Sequence, residues 1–214
     1  MILSHKYRFI FIKTNKTAGT SVEIALSRIC GPHDVITPIS PEDEVLRSES
    51  GGIGPQNHRD AESRRLFYNH MSASEIRRLV GDEIWAGYFK FCVERNPWDR
   101  VVSLYYWRNK EEPRPTITDF IESGVLSALR SRGLDLYTID GEVVVDRVLR
   151  YENLDAELDQ VRRQLSIPAV LDLPRAKASF RDDRRSYREI LDPEQRRLIA
   201  ERFREEIQLH GYEF

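Results

Sequence analysis

The residues with the clearest chemical potential are Lys16-Thr17-Ala18-Gly19-Thr20-Ser21. They combine one ammonium, three hydroxyls and a glycine that lets backbone approach a ligand closely. Ahead of them, Phe9-Ile10-Phe11-Ile12 is a short apolar run of aromatic and β-branched residues, which predicts a buried strand. Behind them, Val22, Ala25, Leu26 and Ile29 recur as one face of a helix. A loop that leaves a strand and enters a helix presents unpaired N–H groups at the positive end of the helix dipole. Such a place binds anions, phosphate above all. The competing reading is an ordinary connection whose lysine is solvated and whose hydroxyls only cap the helix. The convergence of lysine, glycine and three hydroxyls favours the anion site. The pattern is not G-x-x-x-x-G-K-[ST], because Lys16 stands three residues before Gly19. A metal-dependent nucleoside triphosphate site is therefore not announced, and no compelling cluster of metal ligands appears elsewhere.

A second strand–turn–helix unit repeats the logic. Residues 88–93 are mostly apolar, Asn96 can cap a helix and Pro97 suits its first turn. Arg95 falls at the strand's end, and Ser103 follows eight residues later, about two helical turns on. The turn can bring a guanidinium and a hydroxyl toward one anion, since arginine contacts phosphate through two donors. Taken singly, Arg95 also fits a surface salt bridge and Ser103 a neutral helix position. His70 stands just before a helix opened by the Ser72/Glu75 capping box and stopped at Gly81. Residues 172–188 are basic and irregular. Lys177, Arg181 and Arg184, interleaved with Phe180 and near Tyr187, are positioned either to close over an anionic ligand or to form a solvated face. Glu152 is expected to hold loop backbone at a strand end rather than to react.

These groups need a scaffold. A chain of 214 residues, 40% hydrophobic and 32% charged, can bury a sizeable core, and a single domain over residues 1–214 is expected. The net charge of −2 argues against a general nucleic-acid binder. No apolar stretch approaches the length of a membrane span. Residues 1–6 are too short for a signal peptide and are expected to run straight into the first strand. Cys30 and Cys92 make no disulfide framework, and a reducing, cytoplasmic setting is expected. Residues 31–66, rich in Pro, Ser, Gly and charge, read as a long substrate-side flap or a plain disordered insertion. Asp140-Gly141 between residues 136–139 and 142–145 predicts a hairpin. A strand candidate covers 148–151. Helices are expected from Thr116 or Thr118 to about Arg130, from a cap at Asn153 or Asp155 to Leu165, and from the Asp192-Pro193 cap with its capping-box Gln195 to about Leu209. Alternating strands and helices predict an α/β fold, P-loop-like and three-layered, with a central, mainly parallel sheet flanked by helices. In such a sheet both anion loops lie outside the carboxyl ends of the strands. One ligand with two separated phosphate groups would satisfy both.

With these motifs together, the sequence resembles the sulfotransferases that use 3′-phosphoadenosine 5′-phosphosulfate (PAPS), particularly the carbohydrate-acting group that includes heparan sulfate 2-O-sulfotransferase. The likeness rests on Lys16-Thr17-Ala18-Gly19-Thr20-Ser21 and on Arg95 and Ser103 within R-N-P-W-D-R-V-V-S-L-Y-Y. Arg150-Tyr151-Glu152-Asn153-Leu154 and Gly211-Tyr212-Glu213-Phe214 add weaker support. The resemblance implies transfer of a sulfuryl group from PAPS to an acceptor hydroxyl on a sugar or small molecule, releasing adenosine 3′,5′-bisphosphate (PAP), with no metal. It implies that Lys16 stabilises the leaving group and that residues 17–21 hold the 5′-phosphate. Arg95 and Ser103 would hold the 3′-phosphate, and His70 would act as base, with His58 and Asp60 in reserve. Two other readings stay open: a P-loop kinase of a small molecule, and a non-catalytic nucleotide-binding module.

Overall fold

The computed structural model describes residues 1–64, 66–174, 183 and 185–214. Its centre is a five-stranded sheet of β1 (Ile2–Ser4), β2 (Phe9–Ile12), β3 (Val35–Ile36), β4 (Phe89–Glu94) and β7 (Arg147–Arg150), in the order β3-β1-β2-β4-β7. A separate ribbon pairs β5 (Thr138–Ile139) with β6 (Glu142–Val143). In the main sheet β2, β4 and β7 are parallel neighbours. Strand β1 runs antiparallel to both β2 and β3, so β3 points the same way as β2. Among the described strands of this sheet, four share one direction and direct their carboxyl ends to one rim.

Burial on both faces explains the unbroken apolar run of β2. Phe9 and Phe11 join Phe91, Val93 and Leu149 on one face, packed under Val22, Ala25 and Leu26 of α1 (Gly19–Ser27) and Leu158 and Val161 of α8 (Leu154–Gln164). Ile10 and Ile12 join Leu3 and Cys92 on the other, packed against Ile76 and Trp85 of α3 (Ala73–Gly87) and Leu136 and Tyr137 of α7 (Leu134–Tyr137). Helices on both faces of a sheet whose main strands run parallel give the expected mixed α/β layering.

A helical cluster buttresses the carboxyl-end rim. Trp98, Val101, Val102 and Tyr105 of α4 (Pro97–Arg108) pack on Phe120 of α5 (Ile117–Phe120) and Leu126 and Leu129 of α6 (Leu126–Ser131). Ile199 of α10 (Pro193–Arg202) and Phe203 complete the cluster. Most of the expected caps form, but Asn153 stands at the start of α8 without a side-chain cap bond. Asn96 Oδ1 accepts from the Trp98 and Asp99 amides, Thr116 caps α5, and Asp192 with Gln195 builds a capping box. At the ribbon turn Asp140 and Gly141 take φ 52° and 82°, the left-handed pair a tight hairpin requires.

Several expectations are corrected. Residues 2–4 do not merely lead into the first strand; they form β1, because Leu3 and Ile2 bury on opposite faces. Residues 31–66 are not a plain disordered insertion. They contain β3 and α2 (Pro41–Glu49), the latter opened by Ser40 and Pro41 and pinned by the fully buried Arg47. Helix α3 breaks at Gly81 as expected (φ 80°), but a second helical stretch continues to Gly87. The C-terminal helix is interrupted at Phe203, whose ring is needed in the core, and resumes as α11 (Arg204–His210) before left-handed Gly211. Leu136 and Tyr137 belong to α7 rather than to the hairpin. A short helix, α9 (Tyr187–Ile190), precedes α10. Among the described residues, no helix is long and apolar enough to cross a membrane.

Candidate functional site

Loops from the carboxyl ends of β2, β3, β4 and β7 surround one cavity of about 1030 Å³. Lys13–Lys16, Ala18–Ser21, Ile39, Ser40, Arg95 and the 151–156 turn all line it. Helix α4 contributes Ser103 and Trp107, one turn apart, and residues 69 and 70 contribute Asn69 and His70. Of the residues marked by sequence, Lys16, Ala18, Gly19, Thr20, Ser21, His70, Arg95 and Ser103 therefore meet at one place.

The β2–α1 loop reaches this geometry through strained backbone. Lys16 and Ala18 take φ 64° and 63°, and Ala18 stands at the helix N-cap without a side-chain cap bond. Left-handed residues in such a turn are the backbone signature of anion-binding nests. Thr17 does not join the lining. Its hydroxyl is 2.7 Å from that of Thr14, which in turn bonds the Val93 carbonyl. Those hydroxyls fasten the loop to β4 and are spent there. Gly19 has a role that sequence did not indicate. A Cβ there would sit 2.7 Å from Lys13 Cγ and 3.3 Å from the Thr14 carbonyl, so Gly19 admits the buried Lys13 stem under the loop.

Lys13 itself lies 3% exposed. Its ammonium pairs with Glu23 of α1 at 2.5 Å, and Glu23 also takes the Met1 amino group. Burial works against the Glu23 carboxylate, but these two cations hold its pKa below the ordinary range. The Lys13 carbonyl accepts from His70 Nδ1 at 2.9 Å. A carbonyl only accepts, so the Nδ1 proton is fixed and Nε2 is the unprotonated nitrogen of the neutral ring. Burial, then the nearby Lys13 charge, push His70 down to about 4, against the smaller pull of that hydrogen bond.

Arg95 is fixed from several sides. Its Nε and Nη2 meet Asp99 Oδ2 at 2.9 and 2.7 Å, Nη1 reaches the Lys16 carbonyl at 3.3 Å, and the guanidinium lies 4.1 Å from the Tyr151 ring centre. The Asp99 bridge realises the salt-bridge alternative, and the same side chain still lines the cavity. Lys16 Nζ stands 5.1 Å from the centre of the Trp107 ring. Glu152 Oε1 accepts from the Asn96 amide at 2.7 Å, the backbone-holding role expected of it. Asn96 Nδ2 also bonds the Tyr187 hydroxyl and the Glu213 carbonyl.

His58 and Asp60 do not line the cavity, and Asp60 pairs with Arg64 at 2.7 Å. Lys177, Arg181 and Arg184 lie outside the described residues. Residues 31–66 supply Ile39, Ser40 and Asp43, and residues 110–140 supply Arg132. Sequence reasoning missed Lys13, Trp107 and Arg132. Trp107 was within reach, being four residues after Ser103 on the same helical face. Arg132 had no local signal; it is brought in by long-range pairing of its carbonyl with the Asn15 amide at 2.8 Å.

The sequence model of the sulfotransferase family matches residues 1–132. An uncharacterized protein of Archaeoglobus fulgidus is 36% identical over 124 residues, which is 56% of this chain and the whole of that protein. The family match includes the β2–α1 loop, His70, Arg95, Ser103 and Arg132. Strand β7 and the 151–156 wall of the cavity lie beyond it.

Proposed function

The chain belongs to the sulfotransferase family, and from that premise we propose that it transfers a sulfuryl group from PAPS to a hydroxyl of a sugar or small-molecule acceptor, on a P-loop-like, carbohydrate-type scaffold. The observation that carries this reading is the convergence of the Lys16–Ser21 loop, Arg95, Ser103 and His70 on one cavity. The loop amides, with Thr20 and Ser21, hold the 5′-phosphate. Arg95 and Ser103 hold the 3′-phosphate, with Asp99 fixing the guanidinium plane.

The acceptor oxygen attacks sulfur, the bond from sulfur to the bridging oxygen breaks in line, and PAP leaves with that oxygen. The hydroxyl proton passes to His70 Nε2. Lys16 offsets negative charge growing on the bridging oxygen. Positioning and fixed charge supply the rate, as in phosphoryl transfer. A neutral His70 is ready to accept a proton at physiological pH, and the negative charge of the bound donor raises its basicity by opposing Lys13. The two buried thiols, Cys30 and Cys92, suit a reducing, cytoplasmic setting.

The test is PAP release from PAPS with a panel of sugars, phenols and alcohols. Lys16→Ala is expected to lower kcat by about 10²–10³-fold, the scale of losing one transition-state donor, with PAP affinity changed far less. Unchanged turnover in Lys16→Ala would refute the leaving-group assignment. Magnesium-dependent ATP turnover in place of PAP release would replace the reading with the kinase one. Tight PAP binding without transfer to any acceptor would leave a nucleotide-binding module.

A further inference from the structure

We infer that Arg100 is a positioning residue for this site: one buried guanidinium sets the β2–α1 anion loop and the Arg132 turn in register with each other. Arg100 is fully buried on α4, where a charge is tolerated only if paired and fully hydrogen-bonded. Its Nε donates to the Asn15 carbonyl at 2.8 Å, immediately before Lys16. Its Nη1 donates to Glu94 Oε1 at 2.9 Å, at the end of β4. Its Nη2 donates to the Leu129 carbonyl at 2.9 Å and the Arg132 carbonyl at 3.2 Å. The Asn15 amide donates to that same Arg132 carbonyl.

Two cavity-lining segments far apart in sequence thus share one planar donor. Glu94 Oε1 also accepts the Arg95 amide at 3.1 Å, so the strand end carrying Arg95 belongs to the same unit. Gly133 makes room for it, since a Cβ there would overlap the guanidinium. A lysine could keep the charge beside Glu94 but has no fork to span the three carbonyls. Arg100 does not line the cavity, so its effect on turnover passes through Asn15 and Lys16 on one side and Arg132 on the other.

The proposal rests on the sulfuryl-transfer reading only for its kinetic readout. Arg100→Lys is compared with wild type and with Ile199→Val, a core variant of α10. Melting temperature is recorded for each protein, and three quantities are measured at 25 °C, well below it: kcat with saturating PAPS and acceptor, PAP affinity by calorimetry, and backbone amide exchange by mass spectrometry. Arg100→Lys is expected to lose about 10–100-fold in kcat, the scale of an ångström-level misplacement. It is also expected to weaken PAP binding and to speed exchange in residues 13–21 and 129–133 together. Gly133→Ala, which crowds the guanidinium without removing a donor, is expected to change the same quantities less. Ile199→Val is expected to lower the melting temperature while keeping kcat within about twofold. If Arg100→Lys behaves like Ile199→Val, losing melting temperature alone, the assignment is overturned. Coupled exchange in both segments with no wild-type transfer would count against the proposed reaction, not against the role of Arg100.

Discussion

Titration of His70 offers a test that needs no substrate. Folding takes this ring from an ordinary pKa of 6.5 to about 4, so between those values the folded chain binds fewer protons than the unfolded chain. Stability from this group is fully present above about pH 6.5 and is lost as pH falls toward about 4. Between about pH 7.5 and pH 4.5, His70 is expected to cost about 2–3 kcal/mol of unfolding free energy. His70→Asn is the suitable comparison. Asparagine tolerates the left-handed backbone (φ 59° at His70), and its amide can donate to the Lys13 carbonyl while carrying no titrating proton. Urea unfolding of both proteins across this range gives the difference directly. The wild-type curve should fall away from the variant curve on acidification by the stated amount. Curves that stay parallel within about 0.5 kcal/mol would refute the claim that burial and Lys13 depress the ring. Kinetics carry the same sign. The acid limb of kcat/KM, which reports the free enzyme, should lie well below the usual histidine range. The limb of kcat, which reports the loaded enzyme, should lie higher, because donor phosphates oppose the Lys13 charge.

Three further outcomes are expected. Gly19→Ala, whose methyl would press on Lys13 Cγ, should lose about 1–3 kcal/mol in denaturant unfolding and weaken PAP binding measured by calorimetry. Asn96→Ala removes the α4 cap together with its bonds to Tyr187 and Glu213. It should cost about 1–2 kcal/mol, seen as a lower melting temperature with turnover largely kept at 25 °C. Arg95→Ala should weaken PAP binding by about 10–100-fold, the scale of losing a charged hydrogen bond. Adenosine 5′-phosphate, which has no 3′-phosphate, should bind both proteins alike.

Local chemistry made the two strand–turn–helix units legible. Asn96-Pro97, Ser72 with Glu75, and Asp192-Pro193 with Gln195 each settle their turn within four residues, and the structure follows them. Residues 31–66 misled because glycine and proline outweigh the weak apolar pattern of α2; its start signal, Ser40-Pro41, was present but lay inside a stretch read as loop. Thr17 and Gly19 show the limit of reading a motif as ligand contacts. One bonds the loop to β4 and the other clears a path for Lys13, and both depend on neighbours absent from the motif. The Glu23–Lys13–His70 chain and the Arg100 carbonyl cluster join residues from 10 to 85 positions apart, beyond any local pattern.

The reversed course of β1 sends the 5–8 turn to the opposite rim from the cavity, beside Gly87 and Tyr88 where β4 begins. Among the described residues, that rim holds none of the cavity's lining. It is where the molecule can be anchored to a sensor chip or carry a dye with its mouth left open. The four like-directed strands instead run out into the segments that wall the opening.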